Sequence, residues 1–74
     1  MKFFARVIEV ITRTGGEVFD VVKVEATYGA DAVQQICAAM QVEEWMVYLI
    51  TEEEAMEWAA LEIPIRKIGR NSAA

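Results

Sequence analysis

Residues 45–54 read Trp-Met-Val-Tyr-Leu-Ile-Thr-Glu-Glu-Glu, and the fold turns on the change of pattern inside this stretch. Its first six residues are apolar and favour strands, and their short length and polar flanks predict a central strand covered on both faces. Thr51 and Glu54 have the spacing of a capping box, which marks the start of a helix. The stretch therefore predicts a strand over 45–50, followed by a short helix that ends near Leu61.

Two strand-like runs lie at the start of the chain. Residues 3–13 and 17–27 are rich in Val, Ile, Phe and Thr, and the Thr14-Gly15-Gly16 sequence between them is typical of a hairpin turn. A three-residue loop places Ile11 opposite Phe19. This register predicts an outer hairpin face that contains Phe3, Val7, Ile11, Phe19 and Val21.

The remaining elements follow from periodicity and from proline. Val33, Ile36, Cys37 and Met40 have helical spacing and predict a helix over about 30–41. Residues 63–68 predict a last strand, at an edge or just off the sheet because Pro64 cannot donate a ladder hydrogen bond.

The predicted fold class is α+β, a small mostly antiparallel sheet in the order β-β-α-β-α-β with the helices packed on one face. The first helix links the second and third strands, so these two strands are either parallel or separated, and the pattern leaves both open. A chain of 74 residues predicts a single domain, 1–74, with 69–74 as a flexible tail.

Charge is unevenly distributed along the chain. The formal net charge is −5, and no basic residue lies between Lys23 and Arg66. That interval holds nine carboxylates: Glu25, Asp31, Glu43, Glu44, Glu52, Glu53, Glu54, Glu57 and Glu62. Such a region repels nucleic acid and attracts basic surfaces, so direct nucleic-acid binding is disfavoured.

The side chains that carry common chemistry are few. Cys37 is the single cysteine and the chain has no histidine, so neither a zinc site nor a Cys-His pair is expected. Cys37 is interpreted as a core residue. We expect no metal, no cofactor and no enzymatic activity. Arg6 and Glu9 interrupt a signal-peptide core, and no apolar stretch is long enough to cross a membrane, which predicts a cytoplasmic protein.

The acidic interval supplies the candidate site. Carboxylates on a rigid scaffold can imitate the phosphate spacing of a duplex and attract Lys/Arg grooves made for DNA or RNA. Large aromatic residues nearby can anchor an interface, although core packing is the expected role of Trp45 and Trp58. The candidate partner-binding residues are Glu43, Glu44, Glu52, Glu53, Glu54, Glu57, Glu62, Trp45 and Tyr48. They predict a non-enzymatic protein that binds a basic surface of a nucleic-acid-handling partner.

The small size, the acidic balance, the glycine-turn hairpin followed by the 25–40 segment and the missing catalytic set resemble small proteins of phages and mobile elements, anti-CRISPR proteins above all. This resemblance implies a stoichiometric inhibitor that binds a CRISPR effector complex and blocks or mimics its DNA. The alternative is a small homodimeric structural or regulatory module, antitoxin-like, joined through the outer hairpin face.

Overall fold

The computed structural model describes residues 1–11 and 13–68, without the side chains of residues 10, 11 and 17. The predicted tail, 69–74, lies outside the described residues. The elements in chain order are β1 (Lys2–Ile11), β2 (Glu17–Glu25), α1 (Gly29–Met40), a 3-10 turn (Glu44–Met46), β3 (Val47–Ile50), α2 (Glu52–Ala60) and β4 (Ile65–Ile68). The α+β class and the order of strands and helices are confirmed.

The four strands form one mixed sheet in the order β3-β1-β2-β4. β1 is antiparallel to both β2 and β3, and β4 is parallel to β2. β2, β3 and β4 therefore run in the same direction. The question that the sequence left open has a definite answer, because β2 and β3 are parallel in direction and β1 lies between them.

The two helices cover opposite faces of the sheet, whereas the sequence predicted one face. Ala5 and Val22 pack in one cluster with Ile36 of α1, and Phe4 and Val21 pack in another with Ala55 of α2. Neighbouring residues of a strand point to opposite faces, so these clusters lie on opposite sides of the sheet. Handedness supplies the reason. The connection from β2 to β3 crosses the sheet in one direction, and the connection from β3 to β4 crosses it in the opposite direction. Crossover connections between parallel strands are almost always right-handed. Two right-handed connections that run in opposite directions must place their helices on opposite faces of the sheet.

The hairpin register differs from the predicted one. Ile11 is opposite Glu17, and a bulge at Glu9 brings Ile8 opposite Phe19, so the prediction that Ile11 faces Phe19 is wrong. Gly15 has φ of +85° in the connection, a conformation that glycine adopts without strain. The predicted register separates a uniformly apolar face from a face that mixes apolar and charged residues. Both faces are covered here, and each therefore carries apolar residues.

The predicted outer hairpin face is consequently not a single exposed surface. Val7 is fully buried on the α1 face and Val21 is fully buried on the α2 face. Phe3 packs against the first cluster and Phe19 against the second, while the side chain of Ile11 lies outside the described residues. A homodimer joined through that face would have to expose both cores.

The third strand is shorter and less central than predicted. Residues 44–46 form the 3-10 turn, and β3 begins at Val47 and lies at an edge of the sheet. The prediction of a central strand covered on both faces is wrong, because β1 occupies that position by pairing with both β2 and β3. Pro64 precedes β4 at the opposite edge, which confirms the placement of the last strand.

Candidate functional site

One group of the predicted carboxylates lies on α2. Thr51 Oγ1 accepts a hydrogen bond from the Glu54 backbone N–H at 3.0 Å, so the predicted cap is confirmed. Glu52, Glu53 and Glu54 occupy the first turn, where the unpaired N–H groups of a helix favour negative charge. Glu57 lies one turn later and, like Glu52 and Glu53, is exposed.

Trp58 connects this group to the core. Its indole Nε1 donates to Glu54 Oε2 at 3.4 Å, and its ring meets Phe19 edge to face with the centroids 5.0 Å apart. The half-buried ring packs against the cluster under α2, so core packing is confirmed for Trp58. An open groove of about 340 Å³, lined by Glu54, Glu57, Trp58 and Leu61, lies beside it.

A second group of carboxylates precedes β3. Glu43 Oε2 accepts a hydrogen bond from Trp45 Nε1 at 2.7 Å, and Glu44 is exposed. The Trp45 side chain is 57% exposed, so the expectation of core packing is wrong for this residue. The short Glu44–Met46 turn places Trp45 before the strand begins, and Glu43 satisfies its N–H group at the surface.

The Cys37 thiol is influenced by the charge of one member of this second group. Burial raises the pKa of the Cys37 thiol, and the negative charge of Glu44 raises it further. Cys37 packs against the cluster under α1, which confirms its interpretation as a core residue.

The two carboxylate groups lie at opposite ends of β3. β3 itself has four residues and is about 13 Å long. Tyr48 and Leu49 lie between the two groups, and each is 44% exposed. We call this region the acidic edge surface, and its members are Glu43, Glu44, Trp45, Tyr48, Leu49, Glu52, Glu53, Glu54 and Glu57. Glu62 does not belong to it, because Glu62 follows the C-terminal end of α2, the end remote from Glu52.

No described cation pairs with these carboxylates. Among residues 1–11 and 13–68, ion pairs join Arg66 to Asp20 at 2.8 Å and the N-terminal amino group to Glu25 at 3.7 Å. None involves a carboxylate of the acidic edge surface. The negative charge of this region is therefore not neutralised by the described part of the chain.

Arg6 is a neighbour of the site that the sequence analysis missed. Its guanidinium carbon lies 5.1 Å from the centre of the Phe19 ring and 5.6 Å from the centre of the Tyr48 ring. Both distances are within the range of cation–π attraction. Arg6 thereby holds the Tyr48 ring against the α2 face of the sheet. A signal for it was present, since Arg6 interrupts an otherwise apolar run at the middle of the first strand.

The charges elsewhere in the sheet are arranged differently. Lys23 and Lys67 lie opposite each other in the neighbouring strands β2 and β4. On the other face, Asp20 binds Arg66 and raises the pKa of Glu9 by a hydrogen bond and by its charge, and desolvation also raises it, while Arg66 lowers it in part. These contacts join residues far apart in sequence, so charge counting along the chain could not find them.

Within the described residues, no group of three or more Cys, Asp or Glu side chains is placed to hold a metal ion. No described helix has the length and apolar character needed to cross a membrane. Comparisons with protein-family models, with curated proteins and with solved structures give no match to this chain.

Proposed function

We propose that this chain is a non-enzymatic binding protein that presents the acidic edge surface to a basic surface of a nucleic-acid-handling partner. One observation carries the proposal: six carboxylates surround β3 and the start of α2, and no described cation pairs with them. An unneutralised negative surface steers and binds Lys/Arg-rich grooves, with an affinity that falls as salt rises.

Exposed apolar side chains among those carboxylates support the same conclusion. Trp45, Tyr48 and Leu49 are large and are each more than two fifths exposed, at positions close together in the chain. Aromatic residues of this kind are favoured interface anchors, and charge around them supplies orientation and association rate. Solubility would explain a surface that carries charge alone. The exposed apolar side chains add a favourable binding free energy when a partner buries them.

The resemblance to anti-CRISPR proteins names the first partner to test, which is a guide-loaded CRISPR effector complex in the cytoplasm of a host cell. Binding would occupy the basic surface that otherwise holds target DNA. The acidic balance of the chain supports this partner class, because the effector's DNA-binding surface has the opposite charge.

The test is a titration of the effector complex with this protein at low and high salt, with target DNA as competitor. The double variant Glu53→Lys/Glu57→Lys reverses two charges of the acidic edge surface. The matched control, Glu25→Lys/Glu62→Lys, makes the same change in net charge at exposed residues outside this surface. We expect the first variant to lose affinity and to associate more slowly, while the control binds as the parent does. Equal losses in both variants, or binding indifferent to salt, would contradict the proposal.

A further inference from the structure

The outer edge of β3 has unused strand-pairing capacity. Among the described residues, β3 pairs with β1 on one side and with no strand on the other. In an antiparallel ladder, alternate residues direct their N–H and C=O groups away from the paired neighbour. Such a row of outward groups is a template for another strand.

This edge also lacks the features that normally prevent strand addition. Val47, Tyr48, Leu49 and Ile50 include no charge and no proline, and the β1–β3 register is continuous along all four. Natural edges are usually protected by charged side chains, prolines or bulges. The β4 edge has such protection, since Pro64 precedes it and Arg66 and Lys67 lie within it.

Charge selects the occupant. Carboxylates lie at both ends of β3, namely Glu43 and Glu44 before it and Glu52 and Glu53 after it. A second copy of this chain would bring carboxylates against carboxylates in either strand orientation, which is repulsive. An extended segment with Lys or Arg at both ends and uncharged residues between them is complementary in either orientation.

We propose that β3 accepts an extended basic segment of the partner as a fifth strand, held by backbone hydrogen bonds and by ion pairs at the two ends of β3. The inference rests on the proposed function and specifies its binding mode. Alternate side chains of the added strand would lie beside Leu49 on the α1 face and beside Tyr48 on the α2 face. In this mode of recognition the backbone supplies affinity and the alternate side chains supply specificity.

The probe is the capped peptide Lys-Arg-Val-Thr-Val-Thr-Arg-Lys, used in three forms: unmodified, N-methylated on the amides of one strand edge, and N-methylated on the amides of both edges. Pairing with β3 uses one edge of the peptide. We therefore expect the first two forms to bind alike, and the third to bind at least about tenfold more weakly, because it has lost its backbone donors. Amide hydrogen exchange should slow at β3 when the unmodified peptide is present.

A protein variant provides an independent arm. Leu49→Lys places a protective charge on the β3 edge, and Val18→Lys makes the same change in charge at a β2 position that is 49% exposed. We expect Leu49→Lys to lose peptide binding and Val18→Lys to retain it, with thermal melting to show that both are folded. The Lys23→Ala variant should bind as the parent does, because Lys23 lies away from the β3 edge.

Two results would overturn strand addition. Equal, salt-dependent binding of all three peptides would show electrostatic attraction without backbone pairing, and the proposed function would stand. Absence of binding by the unmodified peptide would also overturn it, and the effector titration would then judge the proposed function separately. If the effector complex does not bind in the titration but the peptides bind β3 as expected, the proposed partner is rejected and the β3 site is retained.

Discussion

The two edges of this sheet are built in opposite ways. β4 follows a proline, contains two cations and is attached to β2 by the Arg66–Asp20 ion pair. β3 is uncharged, has half-exposed Tyr48 and Leu49, and is flanked by carboxylates that no described cation neutralises. The first edge is protected against pairing and the second is not. This contrast between the two edges supports the proposed role of the β3 edge in binding.

The largest expected effect separates the two tryptophans that accompany these edges. Trp58 packs on Phe19 of β2, on the side of the sheet next to β4, whereas Trp45 lies exposed in front of β3. We expect Trp58→Ala to lower the free energy of unfolding by about 2 to 4 kcal/mol, because it empties part of the core under α2. Trp45→Ala should cost less than about 1 kcal/mol. Urea unfolding of the two variants measures both values.

The same pair of variants should have the reverse order in partner binding. Trp45→Ala leaves the fold intact and removes an exposed ring from the acidic edge surface. It should therefore lower the affinity for the proposed effector complex by more than it lowers the free energy of unfolding. If Trp45→Ala destabilised the fold as much as Trp58→Ala, the β3 side of the molecule would be structural rather than adapted to binding.

The second prediction exchanges the properties of the edges. Lys67→Leu removes a cation from β4, and Leu49→Lys adds one to β3. We expect Lys67→Leu to increase aggregation on heating, and Leu49→Lys to decrease it, because a charge on an edge strand opposes pairing between chains. Light scattering during a thermal ramp, at equal protein concentration and in the same buffer, compares the two variants with the parent.

Either variant alone changes the net charge, and net charge also affects solubility. The control is therefore Leu61→Lys, which makes the same Leu-to-Lys change at an exposed position that lies in no strand. A decrease of aggregation as large as that of Leu49→Lys would assign the effect to charge alone and remove the distinction between the edges.

The elements of this fold could be predicted from the sequence because each has a local cause. Helical spacing from Val33 to Met40 and the Thr51 cap give two helices within about a residue of their observed bounds. The arrangement depends on non-local pairing, and there the sequence failed twice. The bulge at Glu9 changes the hairpin faces, and the apolar 45–50 run was interpreted as buried although its strand lies at an edge.

The placement of the helices could have been better predicted. If both crossovers have the preferred hand, a β1 strand between β2 and β3 together with a β4 strand beyond β2 requires the helices to cover opposite faces. Of the candidate site residues, the structure places Glu43, Glu44, Glu52, Glu53, Glu54 and Glu57 around β3 and the start of α2, and their role in binding stays a prediction. The exposure of Leu49 differs from expectation, since Leu49 belongs to the 45–50 strand that the sequence predicts to be covered on both faces. Arg6 was missed because its contacts with Phe19 and Tyr48 depend on the hairpin register.

The smallest predicted effect concerns charge pairing on the β4 side of the sheet. The hydrogen bond and negative charge of Asp20, with a further contribution from desolvation, raise the pKa of Glu9 above its ordinary value of 4.5, and Arg66 offsets this in part. The folded protein therefore keeps the Glu9 proton to a higher pH than the unfolded chain does. The contribution of protonated Glu9 to stability is present below 4.5 and is lost as the pH rises through the raised folded-state pKa.

Glu9→Gln keeps the side chain uncharged at every pH and removes this loss. The melting temperature of Glu9→Gln relative to the parent should thus increase between pH 4 and pH 7 by a small amount, since Glu9 is exposed to solvent. The control is the same comparison in an Asp20→Asn background, where the carboxylate responsible for the shift is absent and the increase should vanish. An equal increase in that background would mean that Asp20 does not oppose Glu9. The charges of the β4 side would then be no more closely coupled than those around β3, and the electrostatic contrast between the two edges would be reduced to the Arg66–Asp20 pair.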